Sequence, residues 1–190
     1  MDSACAASLL PELVRQYYAL LYRYAFRLSG ESARAADLTQ QTFLTAQVRL
    51  VQLRDSGSAR NWLCAILRNL FLKEQRRSAL VKFQSLSSVA DPLSERESDS
   101  PVDSEQLQAA LMELTEEFRS PLILFYFEEF TYREIADHMQ VPVGTVMSRL
   151  ARAKALLRKR LGPGVIEPGE QSSAEDSGGD LRLADEVQTS

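Results

Sequence analysis

Apolar residues recur at helical spacing through the first part of the chain. In one run they are separated alternately by four and three positions, at Leu10, Val14, Tyr17, Leu21, Tyr24 and Leu28. This period places all six on one side of an α-helix, and Ser29-Gly30 supplies a signal for its end. No segment shows the alternation of apolar and polar residues that marks a half-buried strand. Residues 9–80 are therefore predicted to form an all-helical unit.

Two more helices are predicted within this unit. One covers residues 32–50, and its inward positions are predicted to be Ala36, Phe43, Ala46 and Leu50. A loop at residues 54–58 separates it from the next helix, residues 59–78. That helix has an apolar side, on which lie Leu63, Ile66, Leu67, Leu70 and Phe71. Its other side is polar and basic, with Asn61, Arg68, Asn69, Lys73 and Arg76, flanked by Arg60 and Arg77.

The pattern then predicts a second helical unit from about Ser104. One helix face is formed by Leu107, Leu111 and Leu114, and Ser120-Pro121 is predicted to open or bend the next helix. Residues 122–127 are apolar enough to form the buried element of this unit. Thr131 and Glu134 have the spacing of a capping box, so a short helix should begin there.

Pro142 interrupts this short helix, and a longer one is predicted from Thr145 to the Gly162-Pro163 stop signal. Its apolar residues share one arc, with Val146, Leu150, Ala153, Leu157 and Leu161. Residues 145–162 carry six basic side chains and no acidic one. Two helices joined by a tight turn, with small and basic residues outward on the second, suit a DNA major groove. A solvated basic face on a helical hairpin is the alternative.

The 190 residues have a net charge of −4, but basic and acidic side chains are unevenly distributed, and the first half of the chain is basic. Residues 1–90 hold twelve basic and six acidic side chains, whereas residues 163–190 hold one and seven. Residues 83–103 are predicted to be a flexible acidic linker, and residues 163–190 a disordered acidic tail. The two units are then 9–82 and 104–162.

Cysteine and histidine are too few for a zinc site built from this chain alone, with two and one respectively. Cys64 is predicted to be a core residue and His138 an exposed helix residue. No apolar run reaches membrane-spanning length, and the N-terminus lacks the pattern of a signal peptide. These observations predict a cytoplasmic protein without membrane insertion and without a cofactor.

The segment TYREIADHMQVPVGTVMSRLARAKALLRKRL, residues 131–161, closely resembles region 4 of bacterial sigma factors of the extracytoplasmic-function type, in the sigma-70 family. This resemblance implies a helix-turn-helix that binds the −35 promoter element. The residues it implies for DNA contact are Gly144, Thr145, Met147, Ser148, Arg149, Ala151, Arg152, Lys154 and Arg158. Arg152 is predicted to read guanine, and Arg149, Lys154 and Arg158 to bind phosphates. Glu129 occupies a turn position where the family usually has glycine, and Met147 one where it usually has Lys or Arg.

Residues 17–79 resemble region 2 of the same family. Asp37-Leu-Thr-Gln-Gln-Thr-Phe43 is similar to the segment that docks on the polymerase β′ clamp helices, which implies docking roles for Asp37, Gln40, Gln41, Phe43 and Leu44. Gln41 replaces an acid common there. Residues 59–70 resemble the helix that binds the −10 element, which implies DNA contacts by Arg60, Asn61, Arg68, Asn69, Lys73, Arg76 and Arg77. The residues themselves favour core packing over base stacking for Trp62.

The resemblance implies that the chain is a sigma factor and not an enzyme. It would bind core RNA polymerase, through the β′ clamp helices and the β flap, and direct initiation at promoter DNA. Members of the family are often held by an anti-sigma factor, though no residue here identifies one. Two alternatives are a helix-turn-helix regulator that binds duplex DNA without polymerase and a helical adaptor or enzyme. The segment 37–43 and the basic side of residues 61–77 argue against the first, which needs neither. The sequence shows no catalytic dyad, metal-ligand set or phosphate-binding glycine loop, which argues against the second.

Overall fold

The computed structural model describes residues 3–53, 56–84 and 104–162, and the all-α class is confirmed within them. These ranges contain no strand. Their α-helices are α1 (Ser3–Ser29), α2 (Ser32–Val48), α3 (Ala59–Gln84), α4 (Ser104–Glu113), α5 (Glu116–Tyr126), α6 (Tyr132–Met139) and α7 (Val143–Leu161). The predicted tail, and the predicted linker beyond Gln84, lie outside the described residues.

Helices α1, α2 and α3 pack together as an N-terminal unit. The predicted inward residues of α1 and α3 are buried or half-buried, and Cys64 is buried as predicted. Phe43 and Ala46 of α2 and Leu50 just after it are buried, but the prediction for Ala36 is wrong, because Ala35 faces the core and Ala36 is exposed. The inward arc of α2 follows Ala35, Leu38, Thr42 and Ala46, which have the spacing of one helix face.

The boundaries of two predicted helices differ in the structure. Helix α2 ends at Val48, and Leu50–Gln52 form a short 3-10 turn, so the chain is more tightly wound just before the loop. Helix α3 continues past residue 78 to Gln84. A second 3-10 turn, Ser56–Ser58, leads into α3.

Helices α4 to α7 form the C-terminal unit. Helix α5 begins at Glu116, after the N-cap Thr115, so Ser120-Pro121 lies inside it and not at its start. The Thr131 hydroxyl accepts from the Glu134 N–H and the Glu134 carboxylate accepts from the Thr131 N–H, which confirms the capping box at the start of α6. Helix α7 begins directly after Pro142, whose fixed φ suits a helix entry.

The two units share one continuous core, in which α1 and α3 pack against α4, α5 and α6. Tyr24 of α1 is fully buried, and its hydroxyl lies 2.7 Å from the hydroxyl of Ser120 in α5. The last carbonyls of α1 are also capped by the C-terminal unit. The Gln108 amide donates to the carbonyls of Phe26 and Arg27, and the Arg119 guanidinium donates to that of Leu28 at 2.5 Å.

Arg119 also forms hydrogen bonds in the connection between α4 and α5. Its guanidinium donates to the carbonyl of Leu114 at 2.8 Å and to that of Met112 at 3.4 Å. Burial lowers the pKa of this guanidinium, although it remains the donor for carbonyls at two helix ends. One buried side chain therefore fixes the end of α1 against the C-terminal unit.

Candidate nucleic-acid interface

The outward side of α7 forms an exposed surface of small and basic residues. Val146, Leu150, Ala153 and Leu157 hold the helix on its core, which turns Met147, Ser148, Ala151 and Arg152 to solvent. Gly144 at its start has no heavy atom within 4 Å of where a Cβ would stand. A helix that protrudes in this way can enter a major groove, with its first turns nearest the bases. We call the exposed residues 144–152 the α7 surface.

The basic residues predicted to bind phosphates differ in solvent exposure and in whether they form an ion pair. Arg158 is exposed, whereas Lys154 is half-buried. Arg149 lies 3.8 Å from Glu117 of α5, with 23% of its side chain exposed. A phosphate contact by Arg149 therefore competes with an ion pair inside the C-terminal unit.

Four residues of the predicted docking segment share an exposed side of α2, namely Asp37, Gln40, Gln41 and Leu44. We call this side the α2 surface. Leu44 is a large apolar side chain that is 55% exposed on this side. Phe43 is only 8% exposed and lies in the core, so a change at Phe43 perturbs packing as well as docking.

The predicted −10 residues on α3 fall into two groups. Asn69, Lys73, Arg76 and Arg77 are exposed or half-exposed to solvent. Arg60, Asn61 and Arg68 instead contact the C-terminal unit. The polar side of α3 is thus open along one part and covered along the other.

The covered group meets three side chains of α5, α6 and the turn between them. Arg68 donates two hydrogen bonds to the carboxylate of Glu116, at 2.7 and 3.2 Å. The Asn61 amide donates to the Glu134 carboxylate at 3.3 Å. The Arg60 guanidinium lies over the Phe130 ring, 4.1 Å from its centre, in a cation–π contact.

Glu128, in the turn before α6, extends this contact to α1. Its carboxylate lies 3.3 Å from Arg23 and 3.9 Å from Arg27, and its side chain is 1% exposed. Burial raises the pKa of Glu128, an effect that the nearby arginines oppose. No sequence pattern singles out Arg23, Arg27 or Glu128. Their separation by about a hundred positions leaves no local pattern that could have found them.

His138 is a correction to the sequence analysis, because its ring is half-buried between the two units. It lies edge-on to Tyr24 and to Phe130, and its Nε2 is 3.5 Å from the Tyr24 hydroxyl. The burial lowers the pKa of His138 to about 4, and the charge of Arg68 acts in the same direction. A neutral ring at ordinary pH fits this apolar site. Its helix pattern alone did not reveal a partner from the other unit.

Two other residues named from the sequence, Trp62 and Glu129, lie in the core and in a turn respectively. Trp62 is half-buried and packs against the core, as predicted. Glu129 has a φ of +54°, a left-handed conformation at the turn where the resemblance implied glycine.

In the part of the chain that the structure describes, no group of His, Cys, Asp and Glu could hold a metal ion. No helix among these residues is long and apolar enough to cross a membrane.

Comparisons with known proteins find sigma-70 families in both units. Residues 13–80 match the family model "Sigma-70 region 2", and residues 104–157 match "Sigma-70, region 4". The chain is 38% identical to ECF RNA polymerase sigma factor SigE of Mycolicibacterium smegmatis, over 79% of this chain and 60% of that protein. It is 33% identical to RNA polymerase sigma factor YlaC of Bacillus subtilis, over 80% of this chain and 91% of that protein.

A solved structure has a similar fold. It is the sigma factor RpoE of Bartonella quintana in complex with the anti-sigma factor NepR, with a TM-score of 0.76 and 24% identity. The match covers 81% of this chain and 97% of that one.

Proposed function

Because this chain belongs to the extracytoplasmic-function (ECF) sigma factors of the sigma-70 family, we propose that it binds core RNA polymerase and directs it to specific promoters. Within this proposal, residues 9–82 dock on the polymerase and bind the −10 element, and residues 104–162 bind the −35 element. The chain supplies contacts and no catalytic step. A role without polymerase leaves the α2 surface without a function, so a stand-alone DNA-binding regulator is disfavoured.

The observation that carries this proposal is the presence of two separate exposed surfaces on one chain. The α2 surface offers a carboxylate, two amides and an exposed leucine, a mixture suited to a protein partner. The α7 surface offers small and basic residues on a protruding helix, a mixture suited to DNA. A promoter-specificity factor needs both kinds of surface.

The residues of each surface take distinct roles in the proposal. Asp37, Gln40, Gln41 and Leu44 contact the β′ clamp helices, and the C-terminal unit contacts the β flap. Gly144, Thr145, Met147, Ser148 and Ala151 approach the −35 bases, while Arg152 forms a bidentate contact with guanine. Arg149, Lys154 and Arg158 bind phosphates there, and Asn69, Lys73, Arg76 and Arg77 bind the −10 strand.

The test is capture of bacterial core RNA polymerase by the purified protein. Asp37→Arg reverses the charge of the α2 surface at its N-terminal end and should abolish capture, because a like or unpaired charge in a protein interface is strongly unfavourable. Glu12→Arg is the matched control, since Glu12 is an exposed acid of α1 outside that surface. If wild-type protein captures no polymerase, or if both variants lose it equally, the proposed function is wrong.

A regulatory partner is also part of the proposal. RpoE of B. quintana and the protein CnrH were each solved with a bound partner, the anti-sigma factor NepR and the cytosolic domain of CnrY respectively. By similarity, an anti-sigma factor is proposed to hold this chain as well. Co-purification of such a protein with the tagged chain from its own host would test this.

A further inference from the structure

The side of α2 that carries the α2 surface continues towards its C-terminal end as a row of exposed apolar residues. Leu44, Val48 and Val51 are 55%, 85% and 82% exposed, and they are separated by four and then three positions. This spacing puts Leu44 and Val48 one turn apart, on the same side of the helix as Asp37 and Gln41. We call Leu44, Val48 and Val51 the apolar stripe.

The backbone at the end of the apolar stripe is held in place by buried neighbours. Leu50 and Leu53, on either side of Val51, are buried, and Leu53 packs in a small cluster with Leu13 of α1. The Leu53 N–H donates to the Leu50 carbonyl at 3.1 Å and closes the 3-10 turn. A partner that covers Val51 therefore binds a segment that is already ordered, which lowers the entropic cost of binding.

The two valines contribute little to the stability of the chain itself. An exposed side chain removes almost no apolar area from water, and valine is a weaker helix former than alanine, lysine or glutamate. Apolar residues exposed singly are ordinary, whereas these three adjoin one another and the α2 surface. They are exposed while the two units are packed together, so a partner can reach them in this arrangement.

We propose that core RNA polymerase covers the apolar stripe, and that Val48 and Val51 supply an apolar part of the contact beside the polar residues of the α2 surface. Continuity identifies this occupant, because the stripe begins within the α2 surface at Leu44 and extends it along one side of the helix. Protein interfaces combine apolar and polar residues in this way. The inference rests on the proposed function, and it adds Val48 and Val51 to the residues that contact polymerase.

The affinity of the purified chain for core RNA polymerase, measured without DNA, tests the role of the valines. Val48→Ala/Val51→Ala should bind about tenfold more weakly than the wild type, which corresponds to about 1.4 kcal/mol, because buried methyl groups are lost from the contact. Val48→Ile/Val51→Ile keeps the apolar character and should retain binding. If the alanine pair disturbs the 3-10 turn, Val48→Ala alone provides the comparison, since Val48 is the last residue of α2.

The matched control is Tyr18→Ala/Leu80→Ala, which removes two exposed apolar side chains of α1 and α3 outside the α2 surface. It should bind polymerase as the wild type does. Thermal unfolding of both double variants verifies that each is folded. An affinity of the valine variant within about twofold of this control would overturn the inference.

Salt separates the apolar part of the contact from the polar part. Asp37→Asn removes a charge, so its loss of affinity should shrink as salt rises from about 0.1 to 0.5 M, because salt screens exposed charges. Burial of apolar area is not screened, so the loss in Val48→Ala/Val51→Ala should persist over the same range. A loss in the valine variant that disappears at high salt would contradict an apolar contact.

Two other occupants would give different results. If the valine variant binds polymerase normally but its holoenzyme fails on promoter DNA, the stripe contacts DNA and the inference is wrong. If the wild type self-associates in sedimentation, and the valine variant is monomeric with unchanged affinity for polymerase, the stripe binds a second copy of this chain and the inference is also wrong.

Failure of the inference is distinguishable from failure of the proposed function. If the wild type does not bind core polymerase at all, the proposed function is wrong. If the wild type binds and Asp37→Arg does not, while Val48→Ala/Val51→Ala binds as the control does, only the role of the apolar stripe is overturned.

Discussion

The contact between the Tyr24 and Ser120 hydroxyls is the sharpest test of how the two units pack. Both side chains are fully buried, and their oxygens lie 2.7 Å apart. Tyr24→Phe keeps the ring and removes the hydroxyl, which leaves Ser120 without this partner and removes the contact of 3.5 Å with His138 Nε2. An unpaired buried polar group costs about 1–3 kcal/mol, so the variant should be less stable by that amount.

A double-mutant cycle isolates the contact itself. Ser120→Ala and Tyr24→Phe are each compared with the double variant by thermal unfolding and by urea titration. In a chain of this length, each kcal/mol lowers the melting temperature by roughly 2–4 °C. The double variant should lose less than the sum of the two, with a coupling energy of about 1 kcal/mol. Tyr18→Phe, at a ring that is 49% exposed, is the control and should change stability by less than about 0.5 kcal/mol.

The two units are expected to unfold together, because they share one core. A hydroxyl pair between them contributes to global stability only if both units are packed in the native state. A coupling energy near zero, or two separate unfolding transitions in calorimetry, would refute the shared core.

The other predictions concern Glu128, Glu129 and Arg152. Burial raises the pKa of Glu128 above its unfolded value, so its charged form destabilises the folded protein, and stability is lost as pH rises through that interval. The melting temperature of the wild type relative to that of Glu128→Gln should therefore fall as pH rises, because only the wild type ionises a carboxylate at this position; a constant difference across pH would contradict the assignment. Glu129→Gly should stabilise the protein by roughly 0.5–1 kcal/mol, because glycine avoids the cost of a left-handed φ, whereas Glu129→Ala should not. Arg152→Ala should weaken binding of polymerase holoenzyme to a cognate −35 duplex by about 1–3 kcal/mol, measured by competition, and Lys159→Ala on the same helix should have a smaller effect; equal losses would contradict base reading by Arg152.

Patterns of residues close together in the sequence were sufficient to predict most of the helices. The spacing of Leu21, Tyr24 and Leu28 indicated the buried side of α1, and the Thr131–Glu134 pair marked the start of α6 within one turn. Both signals depend only on residues within the same or the adjacent turn. Pro121 was misleading because a helix that starts earlier can tolerate proline where the surrounding core supplies stability.

Contacts between the units could not be predicted in the same way. His138 lies on a helix whose polar pattern suggests exposure, yet its environment is set by Tyr24, more than a hundred positions away. Glu128 was likewise missed, because a carboxylate in a turn is usually solvated and only Arg23 and Arg27 make its burial tolerable. The outward side of α7 followed from helix geometry, and the residues of the α2 surface came from the family resemblance, whereas the covered part of α3 depended on how the units pack.

Arg119 and Gln108 of the C-terminal unit cap α1. Separation of the units would therefore remove more hydrogen bonds from the N-terminal unit than from within the C-terminal unit. Arg119 stays with the carbonyls of Met112 and Leu114 when the units part, so the C-terminal unit keeps its internal hydrogen bonds. The last turn of α1 loses three hydrogen bonds at once and must exchange them for water. A partner that binds the chain with its two units apart therefore contacts an N-terminal unit whose first helix is frayed at its C-terminal end. Amide hydrogen exchange near residues 28–30 would report separation sooner than any change in α5 or α6.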